Sequence, residues 1–203
     1  GGLQADEART LLQRAGRWAI KLQGAKVDEV AASPPDLVVI DYSADGSAAR
    51  RYTAEEVARM QRRPDGGRRL LIAYFSIGEA ETYRAYWHPR WSLQPPAFMG
   101  SENENWPGNF RVRFWQRAWQ DVLLAGADAY LDQLIAQGFD GVYLDRVDVY
   151  QDWLKERPAA AGDMIDFVGR IRDTAHKRHP GFLIIGQNAE ELLQHETYRR
   201  HID

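Results

Sequence analysis

Cysteine is absent from all 203 residues, which removes disulfides, zinc-thiolate sites and thiol catalysis together. On this count the compartment stays open, since a chain without thiols folds equally well in oxidising and reducing surroundings. Long apolar runs are missing too, and none approaches the roughly 18 residues of a membrane-spanning helix. Neither sign of charge dominates. With 26 basic against 29 acidic residues and a net charge of −3 there is no electrostatic case for a nucleic-acid partner. HExxH, Walker and G-x-S-x-G motifs are all absent, as is a G-x-G-x-x-G after the first apolar run. The histidines form no metal-binding pattern: His176 and His179 fall at the end of a helical stretch before Pro180, where a cation complements the helix dipole. No metal site is expected.

What is present is a hydrophobic fraction of 44% on a chain long enough for one full core and short for two. Five short apolar runs read as strands: Trp18 to Leu22, Leu37 to Tyr42, Leu70 to Ser76, Gly141 to Asp145 and Phe182 to Gln187. LVVIDY, GVYLD and FLIIGQ show little alternation, as strands covered on both faces do. Helical segments lie between them. Ala5 to Arg14 precedes the first strand, and Thr53-Ala54-Glu55-Glu56 fits a capping box. Met164, Phe167, Val168, Ile171 and Ala175 mark one buried helical face. Val122, Leu123, Tyr130, Leu131, Leu134 and Ile135 predict one long helix before Gly138. Alternating strands and helices imply a parallel α/β fold with right-handed crossovers, either barrel or doubly wound sheet. The connection Ile77 to Asp140 is far longer than one helix needs and carries Trp87, Trp91, Trp106, Trp115 and Trp119; long connections of this kind are usually functional.

In such folds the chemistry sits beyond the carboxyl ends of the strands. There the sequence places Asp41, then Tyr74 through Glu79, then Asp145 to Asp148, then Gln187 to Glu190. Acidic or amide groups cap four consecutive strands. Converging carboxylates acquire divergent pKa values, the arrangement glycoside hydrolysis requires, and aromatic rings stacking on sugar faces would explain the tryptophans. Plainer roles stand beside these: Asp41 as a helix cap, Asp148 as a partner of Arg146, Glu190 and Glu191 as helix-opening acids, and the aromatic run as a small core. Asp145, ending the most apolar strand, favours the functional role.

The segments WAIKLQG, DLVVIDYS, LIAYFSIGEAETYRAYW, WPGNFRVRFWQRAWQDVL and GFDGVYLDRVDVY, in this order and spacing, resemble the endo-α-1,4-polygalactosaminidase family, glycoside hydrolase family 114, from Trp18 to the end. The resemblance implies a (β/α)8 barrel that hydrolyses α-1,4-linked galactosamine polymers of exopolysaccharide and biofilm matrix. By position, Asp145 matches the nucleophile. Asp41, Tyr74, Glu79 and Asn188 match residues at the strand ends around the sugar cleft; Tyr143, two residues before Asp145, points into the barrel, where substrate contact and core filling both stay open, and Trp87, Trp91, Trp106 and Trp115 are candidate stacking platforms. The family's acid/base Glu follows strand six, whereas five strands are legible here. The resemblance therefore implies an incomplete barrel, a single domain over 1–203 cut near strand six, with Glu190 the one in-chain stand-in for the acid. It further implies a polysaccharide partner, no cofactor and an extracellular or periplasmic setting. A start at Gly1-Gly2 reads as a trimmed or processed end. A barrel that binds polysaccharide without cleaving it, and a hydrolase of a small glycoside, are the rival expectations. Arg146 stands where fungal and actinobacterial members often carry Asn.

Overall fold

A computed structural model describes residues 2–126 and 128–203. The elements run α1 (Ala5–Arg14), β1 (Trp18–Lys21), α2 (Val27–Ala32), β2 (Leu37–Ile40), α3 (Ala54–Met60), β3 (Leu70–Ser76), β4 (Glu79–Glu81), β5 (Met99–Glu102) and β6 (Asn109–Val112). Then come α4 (Arg117–Leu124), α5 (Tyr130–Gln137), β7 (Gly141–Asp145), α6 (Tyr150–Trp153), α7 (Ala160–Arg178), β8 (Leu183–Gly186) and α8 (Glu196–His201).

The five expected strands form one parallel sheet in the order β1-β2-β3-β7-β8. A doubly wound sheet reverses direction at a switch point; this order never does. Each crossover advances one strand the same way, so the helices share one face and the sheet is an arc of a barrel. The two faces separate cleanly by alternation. Val38, Ile40, Leu71, Ala73, Phe75, Val142, Leu144 and Ile184 pack with the helices in the main core. Leu37, Val39, Leu70, Ile72, Leu183 and Ile185 face the other way, where Ala8 with Leu3, Leu11 and Leu12 closes them off, so α1 plugs this inner face. Along it the register aligns Tyr74 with Tyr143 and Ser76 with Asp145.

Local signals held where they were strong. Thr53 and Glu56 form the reciprocal capping box, and all five apolar positions expected of α7 are buried. Two readings are corrected. The long helix before Gly138 is two helices, α4 and α5, separated around Gly126, whose φ of +92° leaves the helical region. The long connection is not a bare loop either: β4, β6 and β5 form an antiparallel sheet in that order. Its strands are three or four residues long, too short for a period to show.

Candidate active site

A cleft of about 840 Å³ opens at the carboxyl ends of the parallel strands and is roofed on one side by the antiparallel sheet. Asp145, the last residue of β7, lies within it. The Tyr74 hydroxyl donates to Asp145 Oδ2 at 2.6 Å, and the Arg146 N–H donates to Oδ1 at 2.8 Å. Each oxygen therefore has a donor that fixes its direction. Burial, followed by the nearby charges of Glu81 and Asp145, pushes the Tyr74 hydroxyl up, so it stays protonated and keeps donating.

Among the described residues, the non-glycine positions with positive φ are Arg146 (61°) and Asn188 (56°). Both follow strand ends and both line the cleft. Non-glycine residues in this region cost of order 1 kcal/mol or more, and such strain concentrates at functional sites. At Arg146 the left-handed turn aims the N–H back at Asp145. Its guanidinium reaches Glu79 at 3.3 Å, Asp148 at 3.4 Å and Asp152 at 3.1 Å. Asn103, on the turn after β5, donates to the other Glu79 oxygen at 2.9 Å.

Across the cleft, Arg84 is 4% exposed and pairs with Asp41 at 2.7 Å and Glu81 at 3.1 Å. The Tyr83 hydroxyl donates to the second Glu81 oxygen. Burial pushes the Glu81 carboxyl up, while Arg84 and Tyr83 pull it down. Asp41 shows the same contest, burial raising it against the Arg84 charge. Asp41 also accepts the Ser43 N–H at 3.0 Å, the closure of an Asx turn, and no helix begins there, so its helix-capping role falls away.

The structure thus gathers Asp41, Tyr74, Glu79, Asp145, Asn188 and Trp106 around one cleft. Other expected residues lie elsewhere. Tyr143 packs beneath it against the inner apolar face. Trp87 and Trp91 meet edge to face at 5.2 Å between ring centres, and Trp115 meets Trp153 edge to face at 5.5 Å. These three rings pack against the main core, the plainer of the two roles open to them, because the antiparallel sheet needs its own apolar support. Trp106, 63% exposed, is the tryptophan on the cleft wall. Glu190 is exposed on a 3-10 turn and is not part of the cleft lining. Glu81, Tyr83, Arg84 and Asn103 escaped the sequence reading; the signal for Arg84 was an arginine inside the tyrosine-rich run Thr82 to Trp87.

The sequence profile of glycoside-hydrolase family GH114 matches residues 3–201. The chain belongs to family GH114. Among relatives, it is 40% identical over 185 residues to the uncharacterized protein MJ1477 of Methanocaldococcus jannaschii, covering 89% of this chain and 51% of that one. It is 41% identical over 190 residues to an uncharacterized protein of Deinococcus radiodurans, covering 92% of this chain and 58% of that one. The chain therefore spans little more than half the length of these relatives. Among solved structures, Aspergillus fumigatus Ega3 in complex with galactosamine superposes with a TM-score of 0.67 at 22% identity, covering 92% of this chain and 64% of Ega3. The glycoside hydrolase domain of PelA from Pseudomonas aeruginosa gives 0.64 at 20% identity, covering 90% and 63%. At those identities the likeness carries the fold. The GH114 chain has the barrel architecture of these glycoside hydrolases, represented by five of its strands.

Proposed function

We propose that the protein is a glycoside hydrolase of α-1,4-linked galactosamine-containing polysaccharide, with Asp145 as the nucleophile. The observation that carries this reading is the Asp145 carboxylate, held by Tyr74 and Arg146 at the mouth of an acidic cleft. A carboxylate fixed by two donors keeps its attacking geometry through the reaction, the preorganisation that nucleophilic catalysis depends on. In the double-displacement route Asp145 attacks the anomeric carbon as the glycosidic oxygen leaves with a proton. Water then cleaves the glycosyl ester and releases the carboxylate. This reading assigns the acid/base role to a Glu on the barrel strand that would follow β8, in the same single domain, as the resemblance implies.

The cleft supports a cationic substrate. Asp41, Asp45, Glu79, Glu81 and Asp145 face Arg84 and Arg146 there, an excess of negative charge that attracts and orients an ammonium-bearing sugar. Trp106 offers an exposed ring for stacking at one wall. Two carboxylates suffice for this chemistry, so no cofactor enters it. A matrix polysaccharide as substrate sets the protein at work in the extracellular or periplasmic space. The test is stereochemical: proton NMR of the first-formed reducing end, from the full-length protein acting on an α-linked galactosamine polymer. Net retention, with the α-anomer appearing first, is the expected result. The β-anomer appearing first would remove Asp145 as nucleophile, and binding without any cleavage would leave a polysaccharide-binding barrel.

A further inference from the structure

Arg84 is the more enclosed of the two cations lining the cleft, and the reaction outlined above gives it no part. Its guanidinium lies 4.8 Å from the ring centre of Tyr83, 5.6 Å from Tyr42, 5.7 Å from Tyr130 and 5.9 Å from Tyr74. The groups around it come from every neighbouring element: Asp41 and Tyr42 after β2, Tyr74 from β3, Glu81 and Tyr83 from β4 and its turn, and Tyr130 from α5. One of these contacts leads to the nucleophile. Tyr74 presents its ring to Arg84 and its hydroxyl to Asp145. Asp145 itself faces Tyr74, Tyr143, Arg146 and Asp148.

We propose that Arg84 is a positioning residue for the nucleophile: clamped between Asp41 and Glu81, it backs the Tyr74 ring and so keeps the tyrosine hydroxyl on Asp145. The inference rests on the nucleophile reading of Asp145. The physical argument is one of charge balance. Asp41 and Glu81 are 7% and 2% exposed, and two carboxylates buried together repel each other and the carboxylate across Tyr74. One guanidinium between them removes that repulsion and adds a cation–π attraction to the ring it faces. Lysine can keep the charge, but it lacks the planar fork that reaches both carboxylates at once.

The test compares Arg84→Met and Arg84→Lys with the parent in the full-length protein, by two readouts. In the pH profile of kcat/KM, Arg84→Met is expected to move the acidic limb upward by about one pH unit and to lower kcat more than KM changes. Arg84→Lys is expected to keep the limb near the parent position and recover at least a tenth of the activity. The second readout needs no turnover. The 13C resonance of the Tyr74 ring carbon bearing the hydroxyl, assigned by its loss in Tyr74→Phe, reports whether that hydroxyl still donates to a carboxylate. Arg84→Met should displace it in the same direction as Asp145→Asn does.

An unmoved acidic limb and an unmoved Tyr74 resonance in Arg84→Met would overturn the proposal, leaving Arg84 a purely structural residue. Should Arg84→Met fail to fold, Glu81→Gln decides. Deleting one of the clamped carboxylates should lower the acidic limb and shift the Tyr74 resonance, and no change in either would overturn the idea. Failure of the hydrolase reading looks different: an inactive parent, or an Asp145→Asn variant as active as the parent, with the Tyr74 resonance still answering to Arg84.

Discussion

Gly78 provides a sharp test of how the nucleophile is held. It links β3 to β4, and a methyl group added there would sit 2.3 Å from the carbonyl oxygen of Arg146 and 2.5 Å from Val149 Cγ1. The obstacle is backbone, and it is the backbone of the residue whose N–H directs Asp145. Relief to a tolerable contact requires a displacement of about 0.7–1.1 Å between the two segments, because contacts under 3.0 Å do not occur. A misplacement of about 1 Å at a reacting group costs roughly a hundredfold in rate, and overpacking costs about 1–3 kcal/mol in stability. Gly78→Ala should therefore retain its fold, lose a few degrees in Tm and drop about a hundredfold in kcat on the galactosamine polymer. Gly162→Ala is the control. Nothing lies within 4 Å of its added methyl, and it sits exposed in α7, so it should gain about 0.5–1 kcal/mol with unchanged kcat. Parent-like kcat in Gly78→Ala, within about threefold, would refute the coupling of β3–β4 packing to Asp145 orientation.

Four further outcomes follow from the same geometry. Tyr74→Phe removes the 2.6 Å hydrogen bond to Asp145 and should lower kcat/KM by about 10- to 100-fold, the worth of a charge-assisted hydrogen bond, in steady-state assays. Trp106→Ala should raise KM about tenfold and leave Tm nearly unchanged, while Trp91→Ala should cost about 2–4 kcal/mol of stability; equal effects on KM would return Trp91 to the cleft. Asp36 accepts the N–H groups of Gly16 and Arg17, which hold its carboxyl below the usual range. Its stabilisation is present above the unfolded pKa and lost as pH falls through the lowered folded one, so Asp36→Asn should destabilise at pH 6 and the gap to the parent should close as the medium is made acid, in denaturant titrations. Burial pushes the Tyr52 and Tyr198 hydroxyls up to about 12. These raised values stabilise the fold fully below pH 10 and are lost between pH 10 and 12, so ultraviolet titration should show both ionising together with unfolding.

The parallel strands were legible because each is an apolar run long enough to stand out, and their polar ends pointed to Asp41, Tyr74, Asp145 and Asn188 for a geometric reason that holds across barrels. The antiparallel sheet was not legible. A strand such as Glu-Ala-Glu at β4 is buried through contacts with β6 and Arg84, none of which is local in sequence. Arg84 was missed for the same cause: its role depends on tyrosines that follow β2 and lie on β3 and α5, brought together only by the fold. The tryptophans were visible, but their spacing could not tell Trp106, on the wall of the cleft, from Trp87, Trp91 and Trp115, which support the sheet behind it.

The most direct measurement is reducing-end release from a partially deacetylated α-1,4-galactosamine polymer by the full-length protein and its Asp145→Asn variant. The account predicts release by the parent and a loss of about a thousandfold or more in the variant, over ~4 kcal/mol of transition-state stabilisation. Equal release by both proteins would contradict it, because the carboxylate held by Tyr74 and Arg146 would then have no part in the cleavage.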